Sequence, residues 1–198
     1  MAKEAEVSEV PAVIMGCDGR TTAYYIEDDS KKKFRVIDRY TALGWSGVCF
    51  LTKELSKTFQ LSVLDHDDNI DPIDQCLTLR SKADMLGHLA GQFINEDDWQ
   101  VGFVLVGYEP KENRCRIFTV GNDGYIADRG NSSGDGSGYT PVCALLESHA
   151  GKTYSERGAI KIMKEMMQAA LRHDGHSGGK CRAVIITPFG YKEVDLNA

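Results

Sequence analysis

The densest group of side chains with potential chemistry is the segment 173–179, His-Asp-Gly-His-Ser-Gly-Gly. Histidine, aspartate and serine are the residue types of a serine hydrolase triad, but a triad requires convergence in space and not closeness in sequence. His173 and His176 could also bind a metal ion, yet no third ligand is evident nearby. The glycines by themselves are typical of a helix end. The segment is therefore a candidate site whose role depends on the rest of the chain.

Two further segments suggest ligand binding but are better explained as loops. The glycine-rich segment 134–138 precedes a predicted helix, where backbone N–H groups could bind an anion. No Lys-Ser/Thr pair follows it as in a P-loop, and Asp135 would repel phosphate. The acidic segment 65–74 begins like a calcium loop, but Ile70 and Cys76 stand where that loop needs glycine and glutamate. We interpret the first as a structural turn and the second as a solvent-exposed loop.

Composition limits the class of protein. The chain has 198 residues, 42% of them hydrophobic and 26% charged, which excludes a disordered chain, a coiled coil and a collagen. No apolar run approaches the roughly 20 residues of a membrane helix. The net charge of −6 argues against a general nucleic-acid binder. Residues 1–11 predict a polar leader without the apolar core of a secretory signal, and 12–198 a single domain.

The cysteines indicate the compartment. There are six, widely spaced and without a Cys-x-x-Cys pair, so neither a disulfide framework nor a zinc site is predicted. Several lie in apolar runs, as buried reduced thiols do. We expect a cytoplasmic or nuclear protein without a metal or another cofactor.

Hydrophobic patterning predicts blocks of strands separated by pairs of helices. The predicted strands are 12–17, 21–26, 33–38, 40–45, 99–108, 116–120, 125–129, 182–187 and 191–194, and the predicted helices are 48–64, 79–93, 139–149 and 155–173. We expect the first two strands to form a hairpin, and the next two another. This order lacks the βαβ alternation of a parallel sheet. It predicts an α/β (α+β) fold of two stacked antiparallel sheets covered on both outer sides by helices, a four-layer αββα sandwich.

Three segments, in order along residues 12–195, resemble motifs of the proteasome β-subunit family of N-terminal nucleophile (Ntn) hydrolases. The stretch from Lys32 to Gly47 is similar to the family's Lys-Ile strand, hairpin and glycine turn. Residues 134–139 are similar to its Gly-Ser-Gly-Ser loop. Residues 174–179 are similar to its Arg-Asp-x-x-Ser-Gly-Gly motif, with His173 in place of the arginine. The resemblance implies the same αββα fold.

Active members of this threonine protease family use an N-terminal threonine whose own amine acts as the base. A lysine lowers the pKa of its hydroxyl, an aspartate orients the lysine, and a backbone N–H of the glycine turn stabilises the oxyanion. The resemblance places the lysine on Lys33, the oxyanion glycine on Gly47 and two supporting positions on Asp174 and Ser177, with Asp135 in place of another supporting serine. It implies a buried Lys33 that pairs with Asp28 or Asp29 and with Asp174.

The resemblance departs from the family at the nucleophile. Counting back along the first strand places Ala12, preceded by Pro11, where the family has threonine after glycine. The family's Asp-Ser-Arg-x-Thr-x-Gly loop corresponds here to the short segment 27–30, which supplies only Asp28 or Asp29 as the orienting aspartate. The resemblance therefore implies a pseudoenzyme that acts by binding or assembly in protein catabolism. Its expected partners are proteasome-type subunits or copies of itself, and neither nucleic acid nor a membrane.

Two alternatives remain open. Cleavage before Thr21 would expose a threonine with Asp38 and Lys53 downstream, which predicts an active threonine peptidase or amidase. Reuse of the polar positions at Lys33, Asp174 and Ser177 would instead give a small-ligand-binding module.

The last predicted helix offers a candidate docking face. Its periodicity predicts that Met163 and Met166 face inward, while Met167, together with Tyr154 before the helix, lies to one side. Because methionine adapts readily to a partner surface, Met167 is predicted to take part in assembly.

Overall fold

A computed structural model describes residues 10–22, 26–68, 77–93, 101–149 and 152–197. Within them the strands are β1 Val13–Cys17, β2 Thr21–Thr22, β3 Ile26–Asp28, β4 Phe34–Asp38, β5 Thr41–Gly47, β6 Val101–Glu109, β7 Arg114–Gly121, β8 Ile126–Asp128, β9 Arg182–Thr187 and β10 Gly190–Asp195. The helices are α1 Cys49–Asp68, α2 Leu79–Phe93, α3 Cys143–His149 and α4 Glu156–His173, with a 3₁₀ turn over Ser137–Val142.

Two antiparallel sheets organise the described chain. Strands β4 to β8 follow one another as a five-stranded meander, and β9 lies between β1 and β10 in a three-stranded sheet. The predicted β4–β5 hairpin is confirmed, with Phe34 opposite Gly44. Short β2 and β3 pair only with each other among the described strands.

The predicted hairpin between residues 12–17 and 21–26 is wrong. β1 pairs with β9 instead, from Val13 opposite Ile186 to Cys17 opposite Arg182. β9 is apolar on both faces and can therefore take a central position, flanked by β1 and β10. Just beyond β1, the N–H of Gly19 donates to the carbonyl of Gly178 over 2.9 Å.

The core forms between the layers. The two sheets enclose an apolar cluster of Val13, Met15, Phe34, Ala42, Val106, Ile117, Val184 and Ile186. On the other face of the large sheet, α1 and α2 bury a second cluster that includes Phe59, Leu86 and Phe103. α4 covers the outer face of the small sheet through Met163 and Met167. This arrangement confirms the αββα sandwich.

Three details differ from the sequence predictions. α1 continues to Asp68, so the first residues of the predicted acidic loop are helical, and 69–74 lie outside the described residues. Met167 packs against the cluster formed by Cys181, Ala183 and Leu196. It therefore belongs to the α4–sheet contact and is no outward docking side chain. None of the helices in the described ranges is both long and apolar enough to cross a bilayer.

Candidate functional site

Lys33 forms an ion pair with Asp18 at one end of the small sheet. Its Nζ lies 2.8 Å from Asp18 Oδ1, and the two side chains are only 18% and 16% exposed. The second carboxylate oxygen, Oδ2, accepts the backbone N–H of Gly178 at 3.0 Å and that of Arg20 at 3.1 Å. Both oxygens of this carboxylate are therefore used inside the protein. Such compensation is what a largely buried charge pair requires.

The predicted partners of Lys33 are engaged elsewhere. Asp28 pairs with Lys31 at 3.0 Å. Asp29 receives the Arg20 guanidinium at 2.8 Å. Hydrogen bonds from Ser30 and Lys31 lower the pKa of Asp28 to about 2. The assignment of Asp28 or Asp29 as the partner of Lys33 is therefore wrong, because the chain turn after β3 directs both carboxylates to neighbours on their own loop and to Arg20.

Arg20 joins three loops around this ion pair. Besides Asp29, its guanidinium donates to the carbonyl of Gly175 at 3.4 Å. A side chain at Gly178 would displace the Arg20 guanidinium from this position. The carbonyl of Asp29 accepts the N–H of Lys180 at 2.8 Å. The loops that contain Arg20, Asp29 and Gly178 therefore form one hydrogen-bonded unit.

Asp174 organises a second polar cluster next to this unit. Its Oδ2 accepts the hydroxyl of Ser177 at 2.6 Å and that of Ser137 at 2.7 Å. Its Oδ1 accepts the N–H of His176 at 3.1 Å. Burial would raise the pKa of Asp174, but these hydrogen bonds outweigh it, and the pKa lies below its ordinary value. The predicted pairing of Asp174 with Lys33 is wrong, since serine hydroxyls occupy the carboxylate.

Removing one hydroxyl donor should raise the pKa of Asp174. We expect Ser137→Ala to move it upward, because the charged carboxylate loses a hydrogen bond that stabilises it. A carboxyl group whose pKa is lowered by folding stabilises the fold at pH values above its ordinary pKa, and this stabilisation is lost as the pH falls. In the variant it should be lost at a higher pH than in the unchanged protein. NMR titration of the Asp174 carboxyl carbon measures the shift. Ser148→Ala, which removes a hydroxyl bonded to the carbonyl of Leu145, is the control. An unchanged Asp174 titration would contradict the prediction.

The glycine-rich loop is tied to the end of β5. The carboxylate of Asp135 accepts the hydroxyl of Ser46. It also lies directly over Gly102, where any side chain would collide with it. Gly47, the next residue after Ser46, has a φ of 88°, which favours glycine. Asp135 and Gly47 thus lie close together at the open end of the β4–β5 hairpin, the end at which Lys33 precedes β4.

Ala12 is not part of this arrangement. It is exposed and precedes β1, whereas Asp18 follows β1. At about 3.3 Å per residue of strand, Ala12 lies roughly 20 Å from Asp18. The β1 side chain next to Lys33 is Cys17, and burial raises the pKa of its thiol to about 11. This thiol stays protonated at neutral pH and is a poor nucleophile.

The residues 173–179 do not form a serine triad. The Gly-x-Ser-x-Gly pattern around Ser177 follows a helix and precedes a strand, the reverse of a nucleophile elbow. Ser177 donates to Asp174, while His176 Nδ1 lies 3.5 Å from the hydroxyl of Thr22. Among the residues that the structure describes, no group of three or more His, Cys, Asp or Glu side chains is placed to hold a metal ion.

Comparison with known proteins decides the family. A family model described as "Proteasome subunit" matches residues 11–186. The chain belongs to the proteasome subunit family. It is also 24% identical over 184 residues to the protein named Proteasome subunit beta type-1 of Saccharomyces cerevisiae, covering 92% of this chain and 81% of that relative. The resemblance drawn from three motifs is confirmed, and membership in this family implies assembly into proteasome-type oligomers.

Asp18 and Arg20 are candidate site residues of this proteasome subunit that the three motifs do not include. The stretch Asp18-Gly19-Arg20-Thr21-Thr22 has the Asp-x-Arg-x-Thr spacing of the family loop that was assigned to residues 27–30. This spacing is the sequence signal for Asp18 and Arg20, but Asp18-Gly19 also fits a hairpin turn.

Proposed function

We propose that this chain is a proteasome β-type subunit without peptidase activity that acts through assembly, in the cytoplasm and the nucleus. The observation that supports this most is that Lys33 has no hydroxyl partner. Asp18 orients its ammonium, as an aspartate does in active members, but within the described residues no threonine hydroxyl is bonded to it. The nearest β1 side chain, Cys17, carries a protonated thiol.

The available threonines support the same proposal. Residues 1–12 contain no threonine. The hydroxyl of Thr21 lies 3.7 Å from Cys49 Sγ, and that of Thr22 lies 3.5 Å from a nitrogen of His176. Cleavage before Thr21 would also separate β1 and Asp18 from the chain. An active enzyme made in this way would lose both a strand that pairs with β9 and the partner of Lys33.

A ligand-binding role for the same residues has less support. Asp18 and Asp174 each accept three hydrogen bonds from protein groups. A ligand would have to break these hydrogen bonds, and the hydrogen bonds that it formed would only replace them. The polar atoms of the site are thus engaged in holding loops together.

The test is covalent labelling. We expect no adduct when the protein is incubated with epoxyketone or vinyl sulfone probes, which react with N-terminal threonines, while active proteasome in the same experiment is labelled. Intact-mass spectrometry reads both the adduct and any processing. A stoichiometric adduct at a threonine, or a mass loss matching residues 1–20, would refute the absence of activity.

The assembly half of the proposal is tested separately. Affinity purification from the protein's own cells should recover other proteasome subunits. Recovery of the chain alone, at native monomer mass, would contradict this half whatever the labelling result.

A further inference from the structure

The end of the sandwich that lies away from Lys33 presents exposed aromatic side chains. The turn between β4 and β5 and the turn between β9 and β10 meet there. Phe189, in the second turn, is 78% exposed, more than any other large hydrophobic side chain in the part of the chain that the structure describes. Tyr191, two residues later, is 51% exposed. Neighbouring exposed apolar side chains are typical of an interaction site.

The turn that presents Phe189 is held in one conformation. The N–H of Phe189 donates to the hydroxyl oxygen of Thr187 at 3.2 Å, and that hydroxyl donates to the carbonyl of Gly190 at 3.2 Å. Pro188 restricts the backbone between them, and Gly190 has a φ of 118°. Because the turn is already ordered, a partner that packs against Phe189 does not have to order it on binding.

Arg39 supplies a positive charge beside this turn. Its Nη2 donates to the carbonyl of Phe189 at 3.4 Å, and its Cζ lies 5.3 Å from the centre of the Tyr40 ring. A Cβ atom at Gly190 would be 3.6 Å from Arg39 Cγ, so the side chain lies along the turn. The guanidinium is thus positioned between the Tyr40 ring and the β9–β10 turn. The Tyr40 ring is itself packed edge-to-face against Tyr108, with ring centres 5.7 Å apart.

The charge of Arg39 is not neutralised within the described residues. Asp38, its neighbour in the sequence, pairs with Lys82 at 2.7 Å. No ion pair joins Arg39 to any carboxylate of the described chain, whereas four other arginines each pair with one, namely Arg20, Arg80, Arg114 and Arg116. Arg39 therefore keeps N–H donors that can bind a carboxylate in the bidentate geometry that arginine favours.

We propose that Arg39, Tyr40, Phe189 and Tyr191, here called the Arg39 surface, bind a short extended segment of another protein. The segment carries a glutamate or aspartate directly beside an aromatic residue. Its carboxylate pairs with the guanidinium of Arg39, and its aromatic ring packs on Phe189. Charge complementarity favours this partner, because the surface combines an unpaired cation with apolar rings.

The contact is small and the binding is correspondingly weak. One ion pair and one or two aromatic contacts give a dissociation constant on the order of 100 μM, at the weak end of protein recognition. The Arg39 surface lies at the opposite end of β4 from Lys33, so its binding does not depend on whether the subunit has peptidase activity.

Peptide titration tests the proposal. The probe is the fluorescein-labelled peptide Gly-Ser-Phe-Glu-Phe-Ser-Gly, added to the full chain and followed by fluorescence anisotropy. We expect saturable binding, and about fivefold weaker binding of the same peptide with glutamine in place of glutamate. In Arg39→Gln the two peptides should bind equally, because the difference between them arises from the ion pair. Phe189→Ser should weaken the binding of both peptides about fivefold or more.

Two matched controls make the same chemical changes elsewhere. Arg157→Gln removes an exposed arginine of α4, and Tyr125→Ser removes a 67% exposed ring at the start of β8. Both should leave the affinity for the glutamate peptide unchanged, and thermal melts verify that each variant folds. The proposal would be overturned by the absence of saturable binding up to about 1 mM, or by equal binding of the two peptides to the unchanged protein. Self-association that Phe189→Ser abolishes in sedimentation velocity would also overturn it, because the surface would then bind a second copy of this chain.

Discussion

Replacing Asp18 with alanine is expected to destabilise the protein by about 3 kcal/mol or more. The change leaves the Lys33 ammonium, 18% exposed, without its carboxylate. It also leaves the backbone N–H groups of Arg20 and Gly178 without the acceptor they share. Urea unfolding followed by tryptophan fluorescence measures the loss.

Lys33→Met should cost clearly less than Asp18→Ala. In this variant the carboxylate keeps its two backbone donors, so the remaining charge is still partly compensated. Asp28→Ala is the matched control, because it removes an aspartate whose partner Lys31 is 58% exposed. We expect that control to lower stability much less than Asp18→Ala does, because exposed ion pairs contribute little to stability. Equal losses for Asp18→Ala and Asp28→Ala would show that the Lys33 pair is an ordinary surface contact.

Restoring a threonine at Ala12 should not create a peptidase. We expect Ala12→Thr, in a chain that begins at this residue, to hydrolyse fluorogenic peptides no faster than the unchanged protein. The new hydroxyl would lie roughly 20 Å from Asp18 along the strand, far from Lys33. A misplacement of even 1 Å can reduce a rate about 10²-fold.

The control for this experiment is the same truncation with Ala12 retained, which separates effects of the shortened chain from those of the threonine. Thermal melts of both truncated proteins check that β1 is still paired with β9. Robust peptide cleavage by the threonine variant alone, inhibited by an epoxyketone, would contradict the placement of Ala12 at the far end of β1.

The local elements followed from the sequence. The predicted helix 79–93 coincides with α2, and the β4–β5 hairpin formed as expected. In both cases the information lies within a few residues, because helix periodicity and strand alternation are set by which side chains face the core. The order of strand and helix blocks was enough to predict the αββα layers. The three short motifs were enough to predict the family.

Only the tertiary structure shows which strands pair and which charged side chains meet when they are far apart in the sequence. β1 pairs with β9, more than 150 residues later, and not with the neighbouring strand. Lys33 pairs with Asp18 and not with Asp28, which is closer to it in the sequence. Asp18 accepts hydrogen bonds from two backbone N–H groups, and these stabilise its buried charge. Which strand lies beside which, and which carboxylate meets a buried ammonium, depends on surfaces and donors that only meet once the sheets have stacked. Residue types and spacing could predict that these charges needed partners, but not which partners they would have.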